Sequence, residues 1–197
     1  MKDIKILHLD IETSYNQGSF WRAGFKLNIN YQDIKKERGI ICICYKWHGQ
    51  KKVHSLEWST NQSDKKLVKE FIKVMDEADV IVGHNINRFD LKHIRTRALF
   101  HGLPMKRKYN VIDTLTLARS LGMFNSNKLD YLAQYLGVGC KIKTSMALWD
   151  NIILHKCPKA MRAMVKYCKQ DVVVLEAVFT KFLPYIPENK FKKKVKI

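Results

Sequence analysis

Four carboxylates and one tyrosine in this sequence are spaced so that they could do chemistry together. The chain opens MKDIKILHLDIETSY, where a run rich in Ile and Leu stops on Asp10 and Glu12. KILHLDI reads as a buried strand, with residues 4–11 as its extent. Residues two apart on a strand share a face, so Asp10 and Glu12 are expected to aim together at one spot beyond the sheet's edge. A carboxylate against apolar surroundings is costly unless paired, and two side by side repel. A divalent cation removes both problems; taken alone, a D-x-E pair is equally consistent with a solvated acid at a strand end. Further along, GHNINRFDLKHI puts Asp90 in the first turn of a helix. Phe89 beside it would pack into a sheet and fix the helix start, and Asn85 or Asn87 could cap it. A first-turn acid is also favoured by the helix dipole alone. In MVKYCKQDVVVLEAVF, Tyr167 and Asp171 are four apart, one turn from each other on one helix face. Asp171 precedes Val172, Val173, Val174 and Leu175, an awkward setting for a core acid and a useful one for a ligand. Four carboxylates gathered in one place would hold two hard divalent cations, Mg²⁺ or Mn²⁺, through oxygen. Such a pair clamps a phosphodiester for in-line attack.

The elements that must position these residues follow from periodicity and turn signals. GIICICYKW (39–47) and KKVHSLEW (51–58) are strands joined at His48-Gly49-Gln50. SDKKLVKEFIKVMDEA starts a helix at Ser63 with Leu67, Phe71, Val74 and Met75 at helical spacing. DVIVG (79–83) is a short buried strand, and 88–102 is a helix ended by Gly102 and Pro104. NVIDTLTLARSLG gives a short strand into Asp113 and then a helix; Asp113 suits a cap better than a catalytic role. NKLDYLAQYLG is a further helix, and 158–183 is one long helix opened by Pro158. Residues 14–38 carry at most a short strand near Lys26–Ile29. Hairpins followed by alternating strands and helices predict an α/β fold, a mixed sheet flanked by helices. The 79–83 strand should run parallel to the first, and ligands of such sheets collect at the strands' carboxyl ends.

Charge names the partner class. The 197 residues carry 36 Lys and Arg against 18 Asp and Glu, a formal charge of +18. That imbalance fits a polyanionic partner, most simply nucleic acid. A solvated lysine surface is the plainer reading, and no basic amphipathic helix argues for a membrane surface. Residues 141–197 hold 13 of the cations and four of the acids, half of the net charge. One domain over 1–188 is expected, with KFKKKVKI ending a basic tail over 189–197. No apolar run is long enough to span a bilayer, and the N-terminus lacks a signal-peptide pattern. The five cysteines include no C-x-x-C pair, which argues against a cysteine zinc site or a disulfide framework. Cys42 and Cys44 read as small apolar groups on one strand face. A cytoplasmic, reducing location is expected.

LDIET, HNINRFDL and YCKQD, in that order, resemble the three exonuclease motifs of the DEDD superfamily, the DnaQ-like 3′–5′ exonucleases with a ribonuclease H-like fold. The tyrosine four before the last aspartate resembles the DEDDy branch. HNINRFDLKHI looks most like the second motif of proofreading domains in B-family DNA polymerases. IDTLTLAR and SNKLDYLAQYLGVGCKIK also resemble stretches of that group and of stand-alone phage and bacterial relatives, while residues 14–38 and the tail have no counterpart. The resemblance implies a stand-alone, two-metal 3′–5′ exonuclease acting on single-stranded ends, DNA favoured over RNA, that releases nucleoside 5′-monophosphates. An exoribonuclease of the same chemistry, a basic nucleic-acid-binding module without catalysis, and a ribonuclease H-type endonuclease or nicking enzyme are the rival readings. By the same resemblance Asp10, Glu12 and Asp171 hold the metal that activates water. Asp10 bridges to a second metal on which Asp90 acts directly or through water, and Tyr167 orients the attacking water. Asn85 and Phe89 are candidate substrate contacts, and Lys128 and Lys143 candidate phosphate contacts. Trp21, Trp47, Trp58 and Trp149 could stack bases or serve the core. His84 and His93 are expected to be structural. Replication or repair proteins are the implied protein partners.

Overall fold

The computed structural model describes residues 4–22, 29–140 and 142–191. Five strands form the main sheet: β1 (Ile6–Thr13), β4 (Ile40–Trp47), β5 (His54–Glu57), β6 (Val80–Gly83) and β7 (Val111–Asp113), in the order β5-β4-β1-β6-β7. β1 pairs antiparallel with β4 and parallel with β6, as the hairpin and crossover signals predict. Two short strands, β2 (Gln17–Gly18) and β3 (Ile34–Lys36), form a separate antiparallel ladder. The strand expected near Lys26–Ile29 falls on 26–28, outside the described residues; Ile29 itself is not in a strand.

The alternation of side chains along β1 and β4 divides the sheet into two unlike faces. Leu7, Leu9 and Ile11 point one way with Ile43 of β4 and pack against α1 (Lys65–Glu77) and α2 (Asp90–Phe100) through Phe71, Met75 and Ile94. His8, Asp10 and Glu12 point the other way, opposite Lys46, Cys44 and Cys42 in register. That second face is covered by α6 (Pro158–Phe182), which lays Met164, Cys168, Asp171, Val172, Leu175 and Phe179 toward it. α3 (Thr114–Leu121), α4 (Leu129–Tyr135) and α5 (Met146–Ile153) pack around α6.

Several boundaries differ from the sequence reading, each for a local reason. β1 runs on to Thr13 because β4 pairs with it as far as Ile40. Asp10 and Glu12 therefore lie within the strand and face α6, not beyond the sheet. α2 starts at Asp90 without a side-chain cap. Neither Asn85 nor Asn87 caps it: Asn85 takes a left-handed φ of 64°, and the two backbone N–H groups donate to Asp113 instead. α5 had no sequence signal of its own. Phe191, at the end of a 3-10 turn (Glu188–Phe191), is buried in the same cluster as Phe179 and Phe182. Lys192, Lys193, Lys194 and Lys196 lie outside the described residues. Among the described residues no helix is long and apolar enough to cross a membrane.

Candidate active site

The carboxyl end of β1 outlasts β6, whose pairing with it ends at His8–Val82. Past that point, the backbone N–H of Ile11 needs a partner other than β6. The side chain of Asp90 fills the gap, accepting from the backbone N–H of Ile11. A tight turn brings it there. Gly83 ends β6 so close to Ile86 that an added Cβ would lie 2.7 Å from the Ile86 Cβ. Asn85 then reverses the chain in the left-handed region, which Asn tolerates better than most residues. Asp113 locks the turn by accepting from the N–H groups of Asn85 (2.9 Å) and Asn87 (3.3 Å). It also caps α3 through the N–H of Leu115 at 3.0 Å, the role the sequence assigns it.

On the α6 face, Asp10, Glu12 and Asp171 converge: one carboxylate oxygen from each lies within 4.8 Å of the other two. Asp171 is buried, and Asp10 and Glu12 are half-buried. Tyr167, one turn earlier on α6, is half-buried beside them. Burial and the neighbouring charges of Asp171, Glu12 and Asp10, together with a hydrogen bond to Asp171, push its phenol well above the usual range. It stays protonated and serves as a donor. Cys168 lies beneath, its Sγ 3.4 Å from the Asp10 carbonyl oxygen and 3.6 Å from Asp10 Oδ2. Cys42 and Cys44 are fully buried on one face of β4, as expected, and Cys168 joins them.

Asp90 stands apart from this trio. Its carboxyl is turned into the strand edge, and burial pushes it up to about 7, with Asp113 adding to the shift against the N–H donors that oppose it. Asp10, Glu12 and Asp171 thus form a close cluster, and Asp90 holds the Ile11 N–H of the same strand.

The weaker candidates separate. Asn85 and Lys128 line one open cleft of about 590 Å³ together with His84, Leu115, Arg119 and Asn127. Arg119 adds a cation to that wall that the sequence reading did not single out. Phe89 packs partly into the core and against the ring of His93 at 4.5 Å. Lys143 is exposed ahead of α5 and is not part of that cleft wall. His84 bonds the Thr114 hydroxyl at 2.9 Å. Trp58 is buried, and Trp149 donates its indole N–H to the Thr13 carbonyl at 3.1 Å. Trp21 is fully exposed.

The chain is similar to known proteins over most of its length. It is 27% identical to DNA polymerase 2 of Aeropyrum pernix over 207 residues, covering 94% of this chain and 24% of that protein. It is 33% identical to a DNA polymerase of Pyrococcus glycovorans over 106 residues, which is 53% of this chain and 13% of the polymerase. The structure of the family B DNA polymerase from the hyperthermophilic archaeon Pyrobaculum calidifontis superposes with a TM-score of 0.70 over 92% of this chain and 25% of that one, at 19% identity. The chain therefore spans about a quarter of the length of the first of these relatives. The RNase_H superfamily model matches residues 27–183, a span that holds HNINRFDL and YCKQD but begins after LDIET, and the chain belongs to that superfamily.

Proposed function

We propose that this protein is a metal-dependent 3′–5′ exonuclease acting on single-stranded nucleic acid, with DNA as the favoured substrate. The observation that carries the reading is the convergence of Asp10, Glu12 and Asp171 beneath Tyr167. Three anions held this close by a strand and a helix repel one another, and hard oxygen donors are what Mg²⁺ or Mn²⁺ takes. The donor set fits. Asp10, Glu12 and Asp171 would hold one cation, and Asp90 would support a second from behind the strand edge. Bound there, divalent cations supply charge stabilisation to a phosphodiester under attack and acidify a water.

The chain's own residues do the rest. Tyr167 keeps its proton and offers its hydroxyl to orient the attacking water. Asn85, Arg119 and Lys128 line a cleft with hydrogen-bonding and cationic groups suited to a nucleotide near the 3′ end. The net charge of +18 draws the polyanion in. The DNA preference rests on the second motif, HNINRFDLKHI, and on relatives that are DNA polymerases.

The test uses 5′-labelled single-stranded DNA, single-stranded RNA and blunt duplex DNA side by side with Mg²⁺ or Mn²⁺. The expected result is a ladder shortening from the 3′ end, fastest on single-stranded DNA, with nucleoside 5′-monophosphates released. Faster degradation of RNA would make the protein an exoribonuclease of the same chemistry. Binding without any cleavage would make it a nucleic-acid-binding module.

A further inference from the structure

Two residues before Asp10 on the same face of β1, a second group of ligand-type side chains meets. His8 comes from β1, His48 from the turn after β4, and Glu176 from α6. His8 Nε2 lies 3.2 Å from His48 Nδ1, and His48 Nδ1 lies 3.3 Å from Glu176 Oε1. One ring nitrogen cannot serve both neighbours well. If His48 Nδ1 carries the proton it donates to the carboxylate, and His8 must share that proton. If it carries the lone pair it accepts from His8 and faces the carboxylate lone pairs. His8 is fully buried, and its other nitrogen, Nδ1, has no hydrogen-bond partner among the described residues. Buried polar groups left this poorly satisfied are costly and call for an explanation.

We infer that His8, His48 and Glu176 form a binding site for a divalent transition metal of the zinc type. The three ligand atoms lie within 4.8 Å of one another. The two measured separations match the edge of about 3.3 Å expected of a tetrahedron with metal–ligand bonds of about 2.0–2.1 Å. With a cation between them, both imidazoles act as acceptors and the contest at His48 Nδ1 disappears. Glu176 and the backbone of His48 are held by contacts of their own. Gly49 donates its N–H to Glu176 Oε1 at 2.8 Å, Lys46 pairs with Glu176 Oε2, and the His48 backbone N–H donates to the Ile6 carbonyl at 2.9 Å. Lys46 weakens the site's pull on a cation but orients the carboxylate toward His48. The way in is through His48, which is 30% exposed, and the exposed Gly49. Imidazole favours zinc, cobalt and nickel over magnesium, so this site should fill in the presence of the Mg²⁺ that serves the carboxylate trio. A metal here would tie α6 to β1 and to the β4 turn, one step along the strand from the carboxylates.

The test is a Co²⁺ titration of the full chain in excess Mg²⁺, read by visible absorption and checked by competition with Zn²⁺. The expected result is one equivalent of tetrahedral Co²⁺ that Zn²⁺ displaces. His48→Ala, at a half-exposed turn position where no core cavity opens, and Glu176→Gln, which keeps the side chain's shape, remove one ligand each. Both should weaken binding by more than the roughly 10- to 100-fold that losing a supporting hydrogen bond costs. Absence of a tetrahedral spectrum, or one that survives in both variants, overturns the site. A sulfur-to-cobalt charge-transfer band also overturns it, by placing the ion on Cys42, Cys44 and Cys168.

Discussion

Asp64 and the Asp10–Glu12–Asp171 trio sit on opposite sides of one sheet and solve the same problem in opposite ways. Asp64 precedes α1 and is 1% exposed, yet cations and N–H groups surround it. Arg97 donates to it from Nε at 2.7 Å and from Nη2 at 2.8 Å, His101 from Nε2 at 2.6 Å, and the Ile40 N–H at 2.9 Å. Burial alone would raise its pKa, but these donors more than offset it and hold the carboxyl below the usual range. The trio is surrounded by more of its own charge. A buried acid matched by a cation within the chain is a structural pin; under the proposed function, the trio takes its cation from outside. That contrast separates the framework of this fold from its chemistry.

Substitution at either site should show the contrast, with opposite readouts. Asp10→Ala should lower the cleavage rate by at least the roughly 10²- to 10³-fold that losing one stabilising group costs, measured by gel on labelled DNA. The metal-free protein should melt at the same temperature or higher, because one of three crowded anions is gone. Asp64→Ala should do the reverse. It should destabilise the fold by about 3–5 kcal/mol in urea unfolding, since Arg97 loses its buried partner. Cleavage by the fraction still folded should be unchanged.

The Asp64 pin also has a pH signature. Its folded pKa lies below its unfolded one, so its stabilisation is complete above the unfolded value and is lost as pH falls through the folded value. Wild type and Asp64→Asn should therefore differ in stability at pH 7 and converge in acid, below the ordinary carboxylate range. A gap that persists in acid would mean that Asp64 acts by packing.

Smaller effects sharpen the division within the active-site face. Tyr167→Phe should slow cleavage by roughly 10- to 1000-fold, because it removes a positioning hydroxyl and no ligand. Mn²⁺ affinity, measured by calorimetry, should hold. Lys128→Ala should raise the apparent KM severalfold with kcat unchanged, and flatten the slope of log affinity against log salt by about 0.7 per lost phosphate contact on a single strand. An unchanged slope would remove that cleft wall from the substrate path.

The sequence made legible the parts whose pattern is local. The alternation in LHLDIE put Asp10 and Glu12 on one face, and the four-residue spacing put Tyr167 and Asp171 on one turn. The polarity switch between faces also reads from β1 and β4, once their antiparallel register is known. What stayed hidden depends on long-range pairing. Asp64 looks like an ordinary acid before a helix until Arg97 arrives from the next helix. His8 and His48 meet only through the β1–β4 register, and Glu176 reaches them only by way of α6. α5 escaped because its eight residues, MALWDNII, span about two turns, and Ser145 at its N-cap makes no side-chain cap hydrogen bond. The bond from the Ile11 N–H to Asp90 could not be read either, since it depends on where β6 stops along β1.

Asp171→Asn tests the central claim most directly. It keeps the size and shape of a fully buried side chain and removes one charge from the trio. Cleavage of 5′-labelled single-stranded DNA in Mg²⁺ and thermal unfolding without metal are measured on the same preparation. The account predicts loss of cleavage together with an equal or higher melting temperature. Cleavage by Asp171→Asn at the wild-type rate would contradict it, because the buried carboxylate of α6 would then hold no cation that the reaction needs.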